Sequence, residues 1–314
     1  MISTRKILVG LSVIVVYLLT TVTVVEAHKY SQTIAENQVD TTRLLLIGNS
    51  FSHNSTKYLA ELAEEAGFPL VYDLATFGSG SMQQHCDWAK LAEDDPQNPK
   101  GKPYHGKSLK EMLASQKWDI VSIQQVSILS GDANTYRPYA QKLYSIIKEI
   151  QPDTKVVMLE TWAYREDADG YAQIAENKHA KSSKMMYKKL KKAYTTIASE
   201  LNVELLPVGD AFYKVSKSKE WKYDGDKSFD MEKAVFPELP KQKNSMHNGY
   251  FWDDDKNIHF DTHHASEAGR YLGSLIWYAY LTGNSPKELD YVPDCVPKDF
   301  AEYLKEVAAS VSKK

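Results

Sequence analysis

Cysteine is nearly missing from this chain: Cys86 and Cys295 are the only two in 314 residues. That is too few for a disulfide scaffold, and a chain of this length buries a full core without staples. Whether the two pair is left open by the sequence. An excess of either charge is missing too. The formal net charge is −3 and no basic stripe runs along the chain, so neither nucleic acid nor an anionic membrane surface is an expected partner. There is no Walker loop, no zinc-finger spacing, no internal repeat and no low-complexity tract. What remains, 43% hydrophobic and 25% charged residues, is the composition of an ordinary globular protein.

Long apolar runs are confined to the N-terminus. Arg5 and Lys6 precede the run from Ile7 to Leu19, and Val25-Glu26-Ala27 offers a small-residue cleavage site before His28. Residues 1–27 are therefore read as a secretory signal peptide, followed by a polar lead-in over 28–42. An uncleaved anchor is the alternative, because the apolar stretch extends to Val25 and just reaches the length of a bilayer span. Either way the folded part is expected to be exported, secreted or periplasmic, with no stable membrane insertion once the signal is removed.

From residue 43 to 314 a single domain is expected. Short apolar runs at Arg43–Ile47, Leu70–Phe77, Trp118–Gln124, Lys155–Thr161 and Val203–Pro207 read as buried strands. Between them Ser55–Ala66, Ser108–Ser115, Tyr136–Ile150, Ser182–Leu201 and Ser266–Leu281 carry apolar residues at helical spacing. This alternation predicts an α/β fold with a central parallel sheet covered by helices on both faces. Residues 214–258 break the rhythm. They are rich in Lys, Asp and aromatic residues (Trp221, Tyr223, Phe229, Tyr250, Phe251 and Trp252), without a clear period, and read as a long surface excursion. Its rings either stack on sugars or pin the excursion to the body.

In an open parallel sheet, ligands bind beyond the carboxyl ends of the strands. Ser50, in Ile47-Gly48-Asn49-Ser50-Phe51-Ser52, stands at such an end just before a helix, where backbone N–H groups are available to an oxyanion. Helix capping is the plain alternative for Ser50, a task open equally to Ser52 or Asn54. A nucleophilic serine needs a base. Asp261 and His264 stand three apart before the last predicted helix, where a carboxylate folding back in a turn can hold the imidazole's second N–H. His259, Asp261, His263 and His264 could instead be metal ligands, but no remote cluster supplies a further ligand, and no metal is expected.

These blocks, in order, resemble the first and last signatures of the SGNH/GDSL hydrolases. Closer still is a bacterial branch with IGNSFS in place of GDSL, DUF4886-like. The matching segments are the Gly78-Ser79-Gly80-Ser81-Met82-Gln83-Gln84-His85 stretch, Trp118–Gln124, Thr161-Trp162-Ala163-Tyr164 and the tail from His264 to Leu272 with Gly269 five residues after the histidine. The resemblance runs from about Arg43 to Gly283. It implies a flavodoxin-like three-layer α/β/α sandwich and a cofactor-free serine hydrolase acting on esters. By position Ser50 is the nucleophile, His264 the general base and acid, and Asp261 its orienter. The oxyanion donors are the N–H of Ser50 and that of Gly78 or Gly80. Asn49 stands where the superfamily has aspartate. The asparagine of its third block is missing, and Gln124 or Gln125 falls near that place. Trp162 ends a strand on the catalytic side and either walls the substrate site or lies in the core, and His85 either lines the pocket or is structural.

The resulting expectation is an exported esterase that removes small acyl groups, acetyl foremost, from carbohydrate. Its substrate partner is a small acyl ester or an acetylated glycan; the oligomeric state is not indicated. The alternative of another class is a catalytically decayed glycan-binding protein on the same fold.

Overall fold

The computed structural model describes residues 40–312; the expected signal peptide and residues 28–39 of the lead-in lie outside them. In chain order the strands are β1 Thr42–Gly48, β2 Leu70–Thr76, β3 Ile120–Ile123, β4 Lys155–Leu159, β5 Gln173–Ala175, β6 Lys178–His179, β7 Glu204–Leu206, β8 His247–Trp252 and β9 Ile258–Ala265. The helices are α1 Ser50–Ser55, α2 Leu59–Glu65, α3 Met82–Asp94, α4 Leu109–Leu113, α5 Tyr139–Ile150, α6 Ser183–Leu201, α7 Val208–Ser216, α8 Glu267–Thr282 and α9 Lys298–Val311.

Five strands form one parallel sheet in the order β2-β1-β3-β4-β7. Leu44 to Ile47 of β1 are fully buried because helices cover both faces, which is why the run is continuously apolar rather than alternating. Helices α1, α2, α7, α8 and α9 pack together on one side, and α3, α4, α5 and α6 on the other. This is the three-layer α/β/α arrangement expected from the sequence, with flavodoxin-like strand order. The order reverses between β1 and β3, so the crevice at the carboxyl ends of these two strands is where the fold offers a binding site.

Several local expectations change. The single helix expected over 55–66 is two helices. The first begins at Ser50 because the Asn49 side chain caps it, accepting from the Phe51 N–H. The break falls before α2, where the Tyr58 N–H donates to Ser274 Oγ of α8 at 3.0 Å instead of continuing the helix. Helices α3, α7 and α9 and the β8–β9 hairpin are additional to the elements expected from the sequence. The hairpin occupies the end of the excursion and continues through Asp261 and His264. Among the described residues no helix is long and apolar enough to cross a membrane. Cys86 is buried, Cys295 exposed, and both are free thiols.

The excursion's aromatic residues are mostly committed to anchoring. The Arg165 guanidinium, 2% exposed, is held by Asp167 and Gln242 and lies over the rings of Tyr223, Tyr250 and Phe260. Gly249 sits at φ +69° against it, and a Cβ there would lie 1.9 Å from Arg165 Nη1. Trp221 stacks on Phe300 and Tyr303 of α9, Phe229 meets Tyr250 edge-on, Trp252 meets Phe236, and Phe251 stacks on His259. None of the six residues lines the cleft at Ser50, so of the two roles open to them it is the pinning one that these contacts describe.

Candidate active site

Four strand ends build one cleft of about 330 Å³. Asn49, Ser50 and Phe51 follow β1, Ser79, Ser81 and Gln84 follow β2, Val126 to Leu129 follow β3, and Tyr164 follows β4. His263 and His264 enter from β9.

Ser50 and His264, 214 positions apart, are joined by a hydrogen bond of 2.8 Å between Oγ and Nε2. His264 Nδ1 lies 2.9 Å from Asp261 Oδ2. A carboxylate only accepts, so Nδ1 carries the proton and donates to it. Nε2 is then the basic nitrogen and accepts from the Ser50 hydroxyl.

Aspartate and histidine three apart in a regular strand would point to opposite faces. Here β9 bulges: His247 pairs with Ala265 while Gly249 pairs with Asp261, so Thr262, His263 and His264 together face the single residue Asn248. The bulge turns the His264 ring back onto Asp261. Asp261 Oδ1 completes the turn by accepting from the backbone N–H of His263 at 3.1 Å and of His264 at 3.0 Å. Asn248 Nδ2 donates to Oδ2 at 3.1 Å. Burial pushes the Asp261 carboxyl up, but the hydrogen bonds from the His264 ring and backbone, with the neighbouring imidazoles, outweigh it and hold the group well below the usual carboxylate range. It stays ionised beneath His264 at any pH near neutral.

His263, expected from the sequence only as an alternative metal ligand, lines the cleft. Its Nδ1 is 3.2 Å from Asp261 Oδ1, and its ring centroid is 4.1 Å from that of His264. Burial lowers its affinity for a proton, and the charge of His264 adds to the effect. The ligand atoms of Asp261, His263 and His264 lie within 4.8 Å of one another. An ion held by all three would take a His264 nitrogen from either Asp261 or Ser50.

Asn49 is buried and its amide is engaged at both ends. Oδ1 accepts from Phe51 N at 3.1 Å and Gln124 Nε2 at 2.8 Å, and Nδ2 donates to the Gly80 carbonyl at 3.0 Å. It ties the first strand end to the second. Asn49→Asp would keep the acceptors but turn a buried carboxylate toward the Gly80 carbonyl with no donor between them. The expected loss is about 1–3 kcal/mol, read as a lower urea midpoint; an unchanged midpoint would count against this role.

The two glutamines lie beneath the cleft rather than in it. Gln124 Oε1 accepts from Ser52 Oγ at 2.7 Å while its Nε2 serves Asn49. Gly48 makes room for this side chain: a Cβ there would stand 2.7 Å from both Gln124 Cγ and Ser52 Oγ. Gln125 Oε1 accepts from Met82 N and Val126 N, and its Nε2 donates to Thr135 O at 2.8 Å. Trp162 is fully buried, stacked between Phe51 and Phe212, and donates from Nε1 to the His263 carbonyl at 2.8 Å. It supports the bulge from below. Gly80 is buried, with its N–H donated to Phe77 O at 2.9 Å, whereas Gly78 is exposed in the same turn. Ser79, in that turn at φ +58°, reaches the cleft. Ser81 and Gln84 form a capping box that opens α3, each side chain accepting from the other's backbone N–H; their Ser-x-x-Gln spacing is the signal that marks them in the sequence.

His85 packs behind Gly48. Its Nε2 must donate to the Gly48 carbonyl at 3.0 Å, so Nδ1 accepts from the Tyr104 hydroxyl at 2.5 Å. His247, likewise buried, donates from Nε2 to the Ala163 carbonyl at 2.9 Å. Burial outweighs these bonds and holds both imidazoles down to about 4. An unfolded histidine titrates near 6.5, so between these values the unfolded chain binds more protons than the folded one. Stability from this pair is complete above about pH 6.5 and drains as pH falls toward 4, by up to ~1.4 kcal/mol per pH unit for each ring. Urea unfolding is expected to show lower stability at pH 5 than at pH 7, with a shallower decline in His85→Gln. Equal decline in the two proteins would remove His85 from the account.

Residues 43–230 match the sequence model of a family described as a domain of unknown function, DUF4886. Among solved structures, a DUF4886 family protein from Bacteroides uniformis is 22% identical, over 87% of this chain and 95% of that one, with a TM-score of 0.66. A possible lipase from Chitinophaga pinensis is 14% identical over 77% of this chain and 98% of that one, with a TM-score of 0.41. Phospholipase A1 from Streptomyces albidoflavus is 11% identical over 77% and 99%, with a TM-score of 0.39. The first likeness is one of fold, and the other two are too distant to bear on function. No curated protein matches the chain by sequence.

Proposed function

The chain belongs to the DUF4886 family, and we propose that it is a serine hydrolase of carboxylic esters, working through Ser50, His264 and Asp261. The observation that carries the proposal is the continuous relay Ser50 Oγ–His264 Nε2 and His264 Nδ1–Asp261 Oδ2, at 2.8 and 2.9 Å, with Ser50 on the wall of a cleft. Ser50 Oγ attacks the ester carbonyl while its proton passes to His264 Nε2. Asp261 stabilises the imidazolium that forms. His264 then gives that proton to the departing alcohol oxygen, leaving an acyl-serine. Water attacks the acyl carbon, its proton passes to His264, and the acid leaves as the proton returns to Ser50. The oxyanion donors we assign to the Ser50 N–H and to the exposed part of the turn at Gly78 and Ser79, since the Gly80 N–H is taken by Phe77.

A small acyl group, acetyl foremost, and a hydroxylated alcohol fit the lining best. Ser79, Ser81 and Gln84 give one wall polar groups, Val126, Ile128 and Leu129 give the other an apolar surface, and the cleft holds about 330 Å³. Carbohydrate is the proposed alcohol, with the protein acting after export. Turnover of 4-nitrophenyl acetate by the wild type, falling as the acyl chain is lengthened, and covalent labelling of Ser50 by a fluorophosphonate test this. A wild type that neither turns over nor labels would sink it and favour a glycan-binding protein with a decayed site.

A further inference from the structure

The cleft at Ser50 does not end at its own walls. Ile128 and Tyr164 are shared with a second depression of about 670 Å³, open to solvent and bordered by Asp169, Gly170, Tyr171, His179 and Lys181. Single-ligand sites occupy about 300–1,000 Å³, so the first cleft already suffices for a small acyl group and the unit that bears it. The second depression is space that such a reaction does not need.

The border of this depression is built. Its far side is the β5–β6 hairpin, closed by Ala180 N donating to Ala172 O at 2.9 Å and tied to the body by Gln173 Nε2 donating to Asp132 Oδ2 at 3.1 Å. The Tyr171 hydroxyl donates to Glu166 O at 2.8 Å, and His179 Nδ1 donates to Tyr171 O at 3.1 Å. On the near side Tyr164 is held by Ser127, with their hydroxyls 2.9 Å apart. Tyr171, half-buried, thus sits with an aspartate, a histidine and a lysine around an open floor that the buried Tyr164 also lines. A fatty chain gains little there, because the groove is neither enclosed nor uniformly apolar. A chain of sugar rings suits it: each ring has an apolar face for an aromatic side chain and hydroxyls that both donate to and accept from charged and imidazole groups.

We infer that this groove is a subsite for the alcohol part of the substrate, binding further sugar units of an oligo- or polysaccharide whose acyl group is presented to Ser50. This rests on the ester-hydrolase function proposed above and adds that the substrate is a chain, not a monosaccharide. Gly170 supplies the test. A Cβ on it meets no atom within 4 Å and its φ lies outside the strained region, so Gly170→Trp is expected to fill the groove without disturbing the fold.

Acetylated oligosaccharides of one to five units on xylan, mannan and pectin backbones would be assayed beside 4-nitrophenyl acetate. In the wild type kcat/KM is expected to rise about tenfold or more with length on at least one backbone. Gly170→Trp is expected to abolish that rise while leaving 4-nitrophenyl acetate turnover within about twofold of wild type. Asp169→Ala combined with Lys181→Ala should reduce the rise by several-fold, which provides a second route should the tryptophan variant fold poorly. No rise on any backbone, or a rise that survives both variants, would overturn the inference. Loss of 4-nitrophenyl acetate turnover in the wild type would instead reject the ester-hydrolase function itself.

Discussion

Ser50→Ala is expected to lower kcat on 4-nitrophenyl acetate by about 10⁶-fold, the scale on which serine hydrolases lose activity when their nucleophile is removed. Fluorophosphonate labelling should disappear with it. The fold should survive, because the side chain makes one hydrogen bond, to His264 Nε2, and its loss costs about 0.5–1.5 kcal/mol. KM should change little, since the walls at Ser79, Ser81, Gln84 and Val126 to Leu129 remain. Ser79 and Ser81, which also line the cleft, are not hydrogen-bonded to His263 or His264 and serve as internal controls: labelling that persists in Ser50→Ala but vanishes in Ser81→Ala would show that Ser50 is not the nucleophile.

Asp261→Asn is expected to lower kcat by about 10⁴-fold, and the hydrogen-bond pattern explains why so small a change matters. Oδ1 accepts from two backbone N–H groups, so the amide oxygen of an asparagine would be drawn to that side. Its NH₂ group would then face His264 Nδ1 and Asn248 Nδ2, both of which now donate to Oδ2. Asn248 meets a donor with a donor. His264 is driven to put its proton on Nε2, where it can no longer accept from Ser50. Activity should be low across neutral pH and the urea midpoint should fall modestly. An Asp261→Asn protein with near wild-type kcat would show that His264 needs no orienting carboxylate.

The elements that position the site differ in how far local sequence describes them. The five parallel strands were legible because both faces are buried, and the requirement for apolar residues falls on every position, as in Leu44 to Ile47. Helix α6 was legible because Met186, Leu190, Ala193 and Ile197 repeat at its period. Helix α3 was not, since its buried face is Met82, His85, Cys86 and Ala89, in which histidine and small residues hide the stripe. In α9 the stripe of Phe300, Ala301, Leu304, Val307 and Ala308 does mark a helix, and the sequence therefore carries this element too. The β8–β9 hairpin is half-exposed and rich in polar residues, so neither period stands out.

Local sequence determined the layers of this protein, the serine at the end of a buried strand, and the aspartate and histidine just before α8, because burial and element-end position are properties of a few neighbouring residues. Tertiary structure alone decided the rest. It bulged β9 so that Asp261 and His264 share a side, turned the amide of Asn49 to the Gly80 carbonyl, sank Gln124, Gln125 and Trp162 beneath the cleft, and spent the excursion's aromatic rings on Arg165 and α9. Each of these is a choice among partners distant in the chain, made by the need to satisfy buried polar groups and fill space, and no short stretch of sequence contains both sides of it.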